Sequence, residues 1–396
     1  MGGFFVSGRR NVANVRRKRA AVHNERLPVT HLLDAYAAAG TGLWGKERLV
    51  EGLMLAQRAS GDVDPRLITF TPCSLGEVMR GHGFDVTVLE ATHRRLPVRS
   101  LPALRRTLAA RPPAVLHTHG YKANLVGRLA RATALPMRGL VATCHAWFDE
   151  TRATRAYNVL DRETAVFSDV TTVADARMLD LMPRRGRTAY VANGIPDRVP
   201  PNGDDRRAAR ERFGFPDDRY VVGFLARTNA AKGIPELLEA ARRCRDERIL
   251  WAIAGTGDLA ESIVAADLPN VLFLGYVGES DAYRAAIDAF VQASHIEGLS
   301  LSLLEAMRAG LPIIATRAGS TALALDDGRE GRLVDPGDID GLVAAARAFA
   351  ADRDEGRRYG AAARARFERD FRVDRQQRDF LMIYRSIARP PVGGIA

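Results

Sequence analysis

The sequence predicts an α/β chain of two Rossmann-like, doubly wound parallel-sheet domains facing a cleft, and three observations carry that prediction. Its 396 residues exceed one compact core. Short β-rich apolar runs alternate with helical segments almost from end to end, the pattern of βαβ units. A stretch dense in Gly, Pro, Asn and Asp, "NGIPDRVPPNGDD" from Asn193 to Asp205, then divides the series in two.

In order along the chain, residues 1–28 are basic, lack the continuous apolar core of a secretory signal, and read as a flexible extension. Residues 29–195 form the first domain, with strands in "THLLDAY", "RLITFTP", "DVTVLE", "AVLH", "GLVATC", "DVTTVA" and "RTAYVA". Amphipathic pieces such as "LPALRRTLAARP" and "NLVGRLARAT" supply the helices between them. Residues 196–372 repeat the pattern: "YVVGFLA", a helix from about Pro235, "ILWAIAG", "VLFLG", "AFVQAS", a helix from about Ser300, "PIIAT" and "GRLVD". The last stretch is helical by composition, breaks near Phe371 to Val373, and leaves 373–396 as a terminal helix.

Composition narrows the function. Hydrophobic residues make up 46% and charged residues 27%, ordinary for a soluble globular protein. Cys73, Cys144 and Cys244 have no short spacing, so neither a disulfide framework nor a C-x-x-C metal site is expected, and a reducing cytosol fits. No run of about 18 apolar residues exists to span a membrane. The net charge of +11, nearly all from arginine, favours nucleic acid, phosphate-bearing substrates or an anionic membrane face. Arginine bias also arises from GC-rich coding, so charge alone decides nothing.

Doubly wound domains bind ligands at the carboxyl ends of their strands, so the chemistry is expected in the cleft. In "FLARTNAAKGIPELLEA", Arg227 and Lys232 fall between a strand and a helix with Pro235 in its first turn. Two cations beside unpaired N–H groups at the positive end of a helix dipole make an anion site, fit for a diphosphate. In "SHIEGLSLSLLEAMRAG", Glu297 precedes a helix and Glu305 lies within it, up to about 12 Å further along its axis. Two carboxylates so placed cannot share one proton or one metal. They can grip two hydroxyl-bearing parts of one elongated ligand, with the N–H groups of Gly298 to Leu301 facing phosphate between them. A carboxylate at Glu305, between Leu304 and Ala306, needs a partner, since an unpaired buried charge is costly.

The E-x7-E of Glu297 and Glu305, the R-x4-K of "ARTNAAKG", and "AGTGDL", "NVLFLGYVGESD", "VANGI", "VLHTHGYKANLVGRLA" and "ATCHAW" together resemble the retaining GT-B glycosyltransferases of family 4, glycosyl transferases group 1. The likeness covers roughly Thr30 to Arg385. It implies a hexosyltransferase with no metal or other cofactor, a UDP- or GDP-linked sugar as co-substrate, and a hydroxyl acceptor: a sugar, lipid-linked glycan or small molecule. Polysaccharide, glycolipid or glycoconjugate biosynthesis follows, in the cytoplasm or peripheral on the inner membrane face. It further implies that Arg227 and Lys232 bind the diphosphate, Glu305 the ribose, Glu297 the sugar, and Gly298, Leu299, Ser300 and Leu301 sugar and phosphate. Backbone of Tyr276 and Val277 meets the base, His145 faces donor sugar and acceptor, and the terminal helix crosses back to the first domain. Same-face attack explains retention in this family; Glu297 is the only plausible nucleophile but the better fit to binding and orientation.

Two loops depart from the family. The first βα loop reads "AAAGTGLWGKE", where Gly40 and Gly42 still let backbone approach a phosphate or acceptor and Trp44 adds to the acceptor pocket. After "ATRAG" the expected glycine pair and acid are replaced by "GSTALAL", which puts a site role there in doubt. His117 and His119, placed just after a strand, read with His145 as the wall of an acceptor cleft rather than a three-histidine zinc site. The "AGTGDL" glycines read as a tight turn. Two rivals remain: a nucleotide-sugar 2-epimerase of the same fold, and a non-catalytic basic nucleic-acid-binding protein, which lacks supporting aromatic-basic interleaving.

Overall fold

A computed structural model describes residues 26–35, 37–40, 42–90, 96–133, 137–145 and 151–388. Residues 1–25 of the expected extension, and Trp147, lie outside them. Seven strands build the first sheet: β1 (Leu27–Leu33), β2 (Val63–Thr69), β3 (Val86–Val88), β4 (Val115–His119), β5 (Gly139–Cys144), β6 (Val170–Val173) and β7 (Thr188–Tyr190). Six build the second: β8 (Tyr220–Leu225), β9 (Ile249–Ala254), β10 (Val271–Gly275), β11 (Ala289–Gln292), β12 (Ile313–Thr316) and β13 (Arg332–Val334).

Both sheets are parallel throughout, in the orders β3-β2-β1-β4-β5-β6-β7 and β10-β9-β8-β11-β12-β13. Each order reverses once, between β1 and β4 and between β8 and β11. Crevices open at those switch points because the flanking loops leave in opposite directions. Two apolar layers sandwich the second sheet: Val221, Ala252, Phe290 and Ala315 on one face, and Val222, Trp251, Ile253 and Val291 on the other. In the first sheet, Leu32, Leu116 and Leu140 pack on one face beneath Val126 of the Tyr121–Ala132 helix. No helix among the described residues is long and apolar enough to cross a membrane.

Two crossings lie side by side between the sheets. Ile195 bridges to Arg372, donating its N–H to Phe371 and accepting from Val373. A Cβ on Gly194 would meet the Arg372 carbonyl oxygen at 2.7 Å, so glycine is what lets the strands of chain touch. Beyond Arg372 the Val373–Ile387 helix packs on the first sheet: Phe380, Leu381 and Tyr384 join Val29, Leu53 and Val141 in one apolar cluster.

Candidate active site

The Leu301–Ala309 helix starts because Ser300, extended at φ −66° and ψ 130°, accepts from the Leu303 N–H through its hydroxyl. It stops at Gly310, in the left-handed conformation at φ 71°. The N–H groups of its first turn have no backbone acceptor within the helix, and the Ser300 hydroxyl serves that of Leu303. The loop that carries Glu297 is tied to its neighbour: His295 donates its N–H to Ala231, and Gly233 at φ +77° lies where a Cβ would fall 2.0 Å from the Ala293 carbonyl.

Those ties bring two of the expected residues together. Lys232 Nζ lies 2.7 Å from Glu297 Oε1, which also accepts from Ser294 Oγ at 2.8 Å. Both charges are largely shielded, with side-chain exposures of 16% and 6%. Arg227, one loop turn earlier, is exposed. The "AGTG" glycines brace this loop: a Cβ on Gly255 would meet the Ala226 carbonyl at 1.8 Å, and one on Gly257 the Thr228 carbonyl at 2.5 Å.

Glu305 stands apart from Glu297. It accepts a hydrogen bond from the guanidinium of Arg284, a side chain only 2% exposed, and lies 3.8 Å from Arg48 of the first domain. With Leu43, Arg48, Ile195, Gly278 and Leu301 it lines a cavity of about 610 Å³ between the domains. Lys232 and Glu297 are not in that lining, so the carboxylates occupy two separate stations. Arg284 was not legible as a partner; nothing in "SDAYRAA" marks it. Another cavity, of about 390 Å³, is bounded by Arg198, Arg212, Arg284 and Arg308 and contains none of the expected donor residues.

The first domain reaches over the same ground. Arg177 extends to the Glu297 carbonyl at 3.4 Å, and Asn193 Nδ2 to the Leu299 carbonyl at 3.4 Å. Gly40 and Gly42 both take left-handed φ, at 77° and 82°, in the first βα loop. A Cβ on Gly42 would come 3.7 Å from the Tyr276 hydroxyl, and one on Gly45 3.4 Å from Leu301. Tyr276 is otherwise exposed, Val277 half-buried, and Trp44 more than half-exposed at the start of the Gly45–Ser60 helix. The loop read as a departure after "ATRAG" also touches the site: Gly319, at φ +61°, leaves no room for a Cβ, which would sit 1.8 Å from the Glu297 carbonyl.

The histidines need correction. His117 and His119 lie within β4, not after it, and are 0% and 1% exposed, so neither lines an acceptor cleft. Parallel register sets His31 of β1 beside His117, and Thr143 of β5 beside His119. Three of these histidines, His31, His117 and His119, have ring nitrogens within 4.8 Å of one another, in a set that includes His31 rather than His145. Their nitrogens are already committed. His31 Nε2 meets Gln57 Oε1 at 2.9 Å, His31 Nδ1 meets His119 Nε2 at 2.9 Å, and His119 Nδ1 meets His145 Nε2 at 3.3 Å. His117 joins the Tyr384 hydroxyl at 2.6 Å and Thr143 Oγ1 at 2.7 Å. Burial drives His31 down to about 4 and His145 to about 3, and pushes His117 and His119 well below the ordinary value, so all four are neutral. The ring nitrogens of His31, His117 and His119 are thus all engaged by neighbouring side chains.

Known proteins resemble this chain in sequence and in fold. Residues 44–194 match the family described as glycosyl transferase 4-like domain, and residues 205–366 that described as glycosyl transferases group 1. The GDP-mannose-dependent alpha-(1-6)-phosphatidylinositol monomannoside mannosyltransferase of Mycolicibacterium smegmatis is 30% identical over 61% of this chain and 68% of its own. A D-inositol 3-phosphate glycosyltransferase of Catenulispora acidiphila is 36% identical over 40% of this chain, a match spanning 42% of that protein. Among solved structures, HepE of Anabaena with UDP superposes with a TM-score of 0.78 at 19% identity, covering 91% of this chain and 100% of that one. Two matched segments that between them hold every strand but β1, with the same two-sheet architecture, leave one assignment: the chain belongs to the group 1, or family 4, glycosyltransferases, and its fold is GT-B.

Proposed function

We propose that the protein transfers a hexosyl unit from a UDP- or GDP-linked sugar to a hydroxyl acceptor with retention at the anomeric carbon. The observation that carries this reading is the Lys232–Glu297 contact of 2.7 Å at the start of the Leu301–Ala309 helix. Lys232, Arg227 and the helix terminus would neutralise the diphosphate as its charge develops, through groups already in place and without a metal. Glu297, held by Lys232 and Ser294, would orient the sugar, and Glu305 would hold the ribose from the other station. As the bond from anomeric carbon to phosphate oxygen breaks, the acceptor oxygen bonds to that carbon from the same face and its proton passes to the leaving phosphate.

Glu297→Gln tests the assignment. It should lower kcat by about 100-fold or more while donor affinity changes by less than about threefold, the pattern of an interaction made at the transition state. Unchanged turnover would sink it.

A second observation supports a lipid-linked acceptor and a peripheral location. The Arg152–Glu163 helix buries polar Asn158 and Asp161, the latter paired with Arg128 at 2.8 Å, and turns Val159 and Leu160 outward. Phe167, 63% exposed, and Val166 continue this face, and Gly186 abuts Val166 and so brings exposed Arg184, Arg185 and Arg187 alongside. An apolar patch beside arginines suits an anionic bilayer surface.

A further inference from the structure

His145 terminates a chain of hydrogen bonds whose direction is fixed at the far end. Gln57 donates from Nε2 to the Tyr384 hydroxyl at 3.2 Å, so its carbonyl oxygen is the atom turned to His31. An acceptor there requires His31 to carry its proton on Nε2. A neutral imidazole has one donor and one acceptor nitrogen, so His31 Nδ1 is a lone pair. His119 must then donate from Nε2, at 2.9 Å, which leaves its Nδ1 to accept from His145 Nε2 at 3.3 Å. Each ring's tautomer dictates the next. At the end of the chain His145 Nδ1 is buried with no partner among the described residues.

We propose that His119 and His31, anchored at Gln57, are positioning residues that hold His145 in its Nε2–H tautomer and keep its Nδ1 lone pair for a substrate hydroxyl. The substrate half rests on the proposed transfer reaction; the tautomer half does not. An unpaired buried acceptor costs about 1–3 kcal/mol, which a hydroxyl donor supplied by the ligand relieves. Were the Gln57 amide reversed, every tautomer would reverse and His145 would offer an N–H suited to a phosphate oxygen. The relay therefore selects a hydroxyl over a phosphate as the partner of His145.

Neutrality is part of the device, because an imidazolium anywhere in the chain would carry protons on both nitrogens and break it. The charge facing His145 and His119 is Lys46, which donates to the Asp34 carbonyl and is itself shifted down by burial; Asp34, Glu47 and Lys122 act on Lys46 in turn. His117 and His31 also face His119. Burial and the lysine cation both oppose protonation.

Long-range proton–nitrogen spectra of the full-length protein test the tautomers directly, with the His145 signals identified by His145→Gln. The proposal expects protonated Nε2 and bare Nδ1 on His31, His119 and His145 from about pH 5.5 to 8. A protonated Nδ1 on His145 would overturn it. In folded Gln57→Leu, two imidazoles away, His145 should become a tautomer mixture; an unchanged His145 would also overturn it. Titration with UDP-glucose and with GDP-mannose separates the two readings: binding of neither with the tautomers intact faults the transfer reaction, and binding of either with the wrong tautomer faults the relay.

Discussion

At the scale of single residues, the site is held by charges that need each other. Lys232 pairs with the shielded Glu297 carboxylate at 2.7 Å, and removing the lysine takes away that partner. Lys232→Ala is expected to cost about 2 kcal/mol, less than the roughly 3–5 of a fully buried pair because 16% of the lysine side chain still meets water. Arg284 is the harsher case. Its side chain is 2% exposed and bonds both Glu305 and the Ser280 carbonyl, so Arg284→Met should destabilise by about 3–5 kcal/mol in urea unfolding. A loss below about 1 kcal/mol would mean that Glu305 finds water or Arg48 instead. Glu305 was readable in the sequence as a carboxylate needing a partner, because Leu304 and Ala306 flank it. Which arginine answers was not, since Arg284 is brought in from a different helix by tertiary packing.

At the scale of elements, strands and helices with clear periodicity were legible and their supporting loops were not. "GLVATC" and "VLFLG" match β5 and β10 residue for residue, because mostly apolar runs mark both the fully buried β5 and the half-buried edge strand β10. β4 runs on to His119, past the expected end at His117, because polar residues do not signal a strand although register with β1 and β5 satisfies them. The 317–324 segment looked unlike its relatives at the level of side chains, yet Gly319 does its work through the absence of one. Gly319→Ala should displace the Glu297 loop, costing about 1–3 kcal/mol from left-handed strain and more from the clash, with transfer activity falling alongside. Wild-type activity in that variant would show that the loop yields freely.

The histidine ladder gives this element a pH signature. A histidine whose folded value is depressed stays neutral while the unfolded chain takes up protons, so stability rises with pH across that window. The contribution is complete above 6.5 and is lost as pH falls from there toward about 4 for His31, roughly 3 kcal/mol for that one group. Unfolding midpoints measured from pH 7 to 4.5 should fall steadily, and His31→Gln should flatten the slope. A pH-independent midpoint would contradict neutral burial.

At the scale of the whole molecule, the terminal helix and the linker tie the two sheets together. Tyr384 bonds His117, and Ile387 crowds Gly139 so closely that a Cβ there would meet it at 2.6 Å. Ending the chain at Arg372 should therefore unfold the first domain, which circular dichroism and limited proteolysis would report. The outward apolar face of the Arg152–Glu163 helix makes a separate claim: the protein should sediment with phosphatidylglycerol vesicles and not with neutral ones, and Leu160→Glu with Phe167→Glu should abolish this. Equal binding to both vesicles, or to neither, would remove the membrane assignment. The twofold βαβ series made the two-sheet architecture legible from composition and periodicity alone, whereas the closeness of the first βα loop to Tyr276 and Leu301 depends on how the sheets face each other.

The central claim is that a nucleoside diphosphate sugar sits between Lys232, Glu297 and Glu305. The most direct measurement is a thermal-shift series with UDP, GDP, ADP and their common sugars, run on the wild type and on Lys232→Ala, each against its own unliganded midpoint. The account predicts a rise with one base that is absent in the variant. A folded wild type that shifts with no nucleotide, or a Lys232→Ala protein that shifts as much as the wild type, would contradict it.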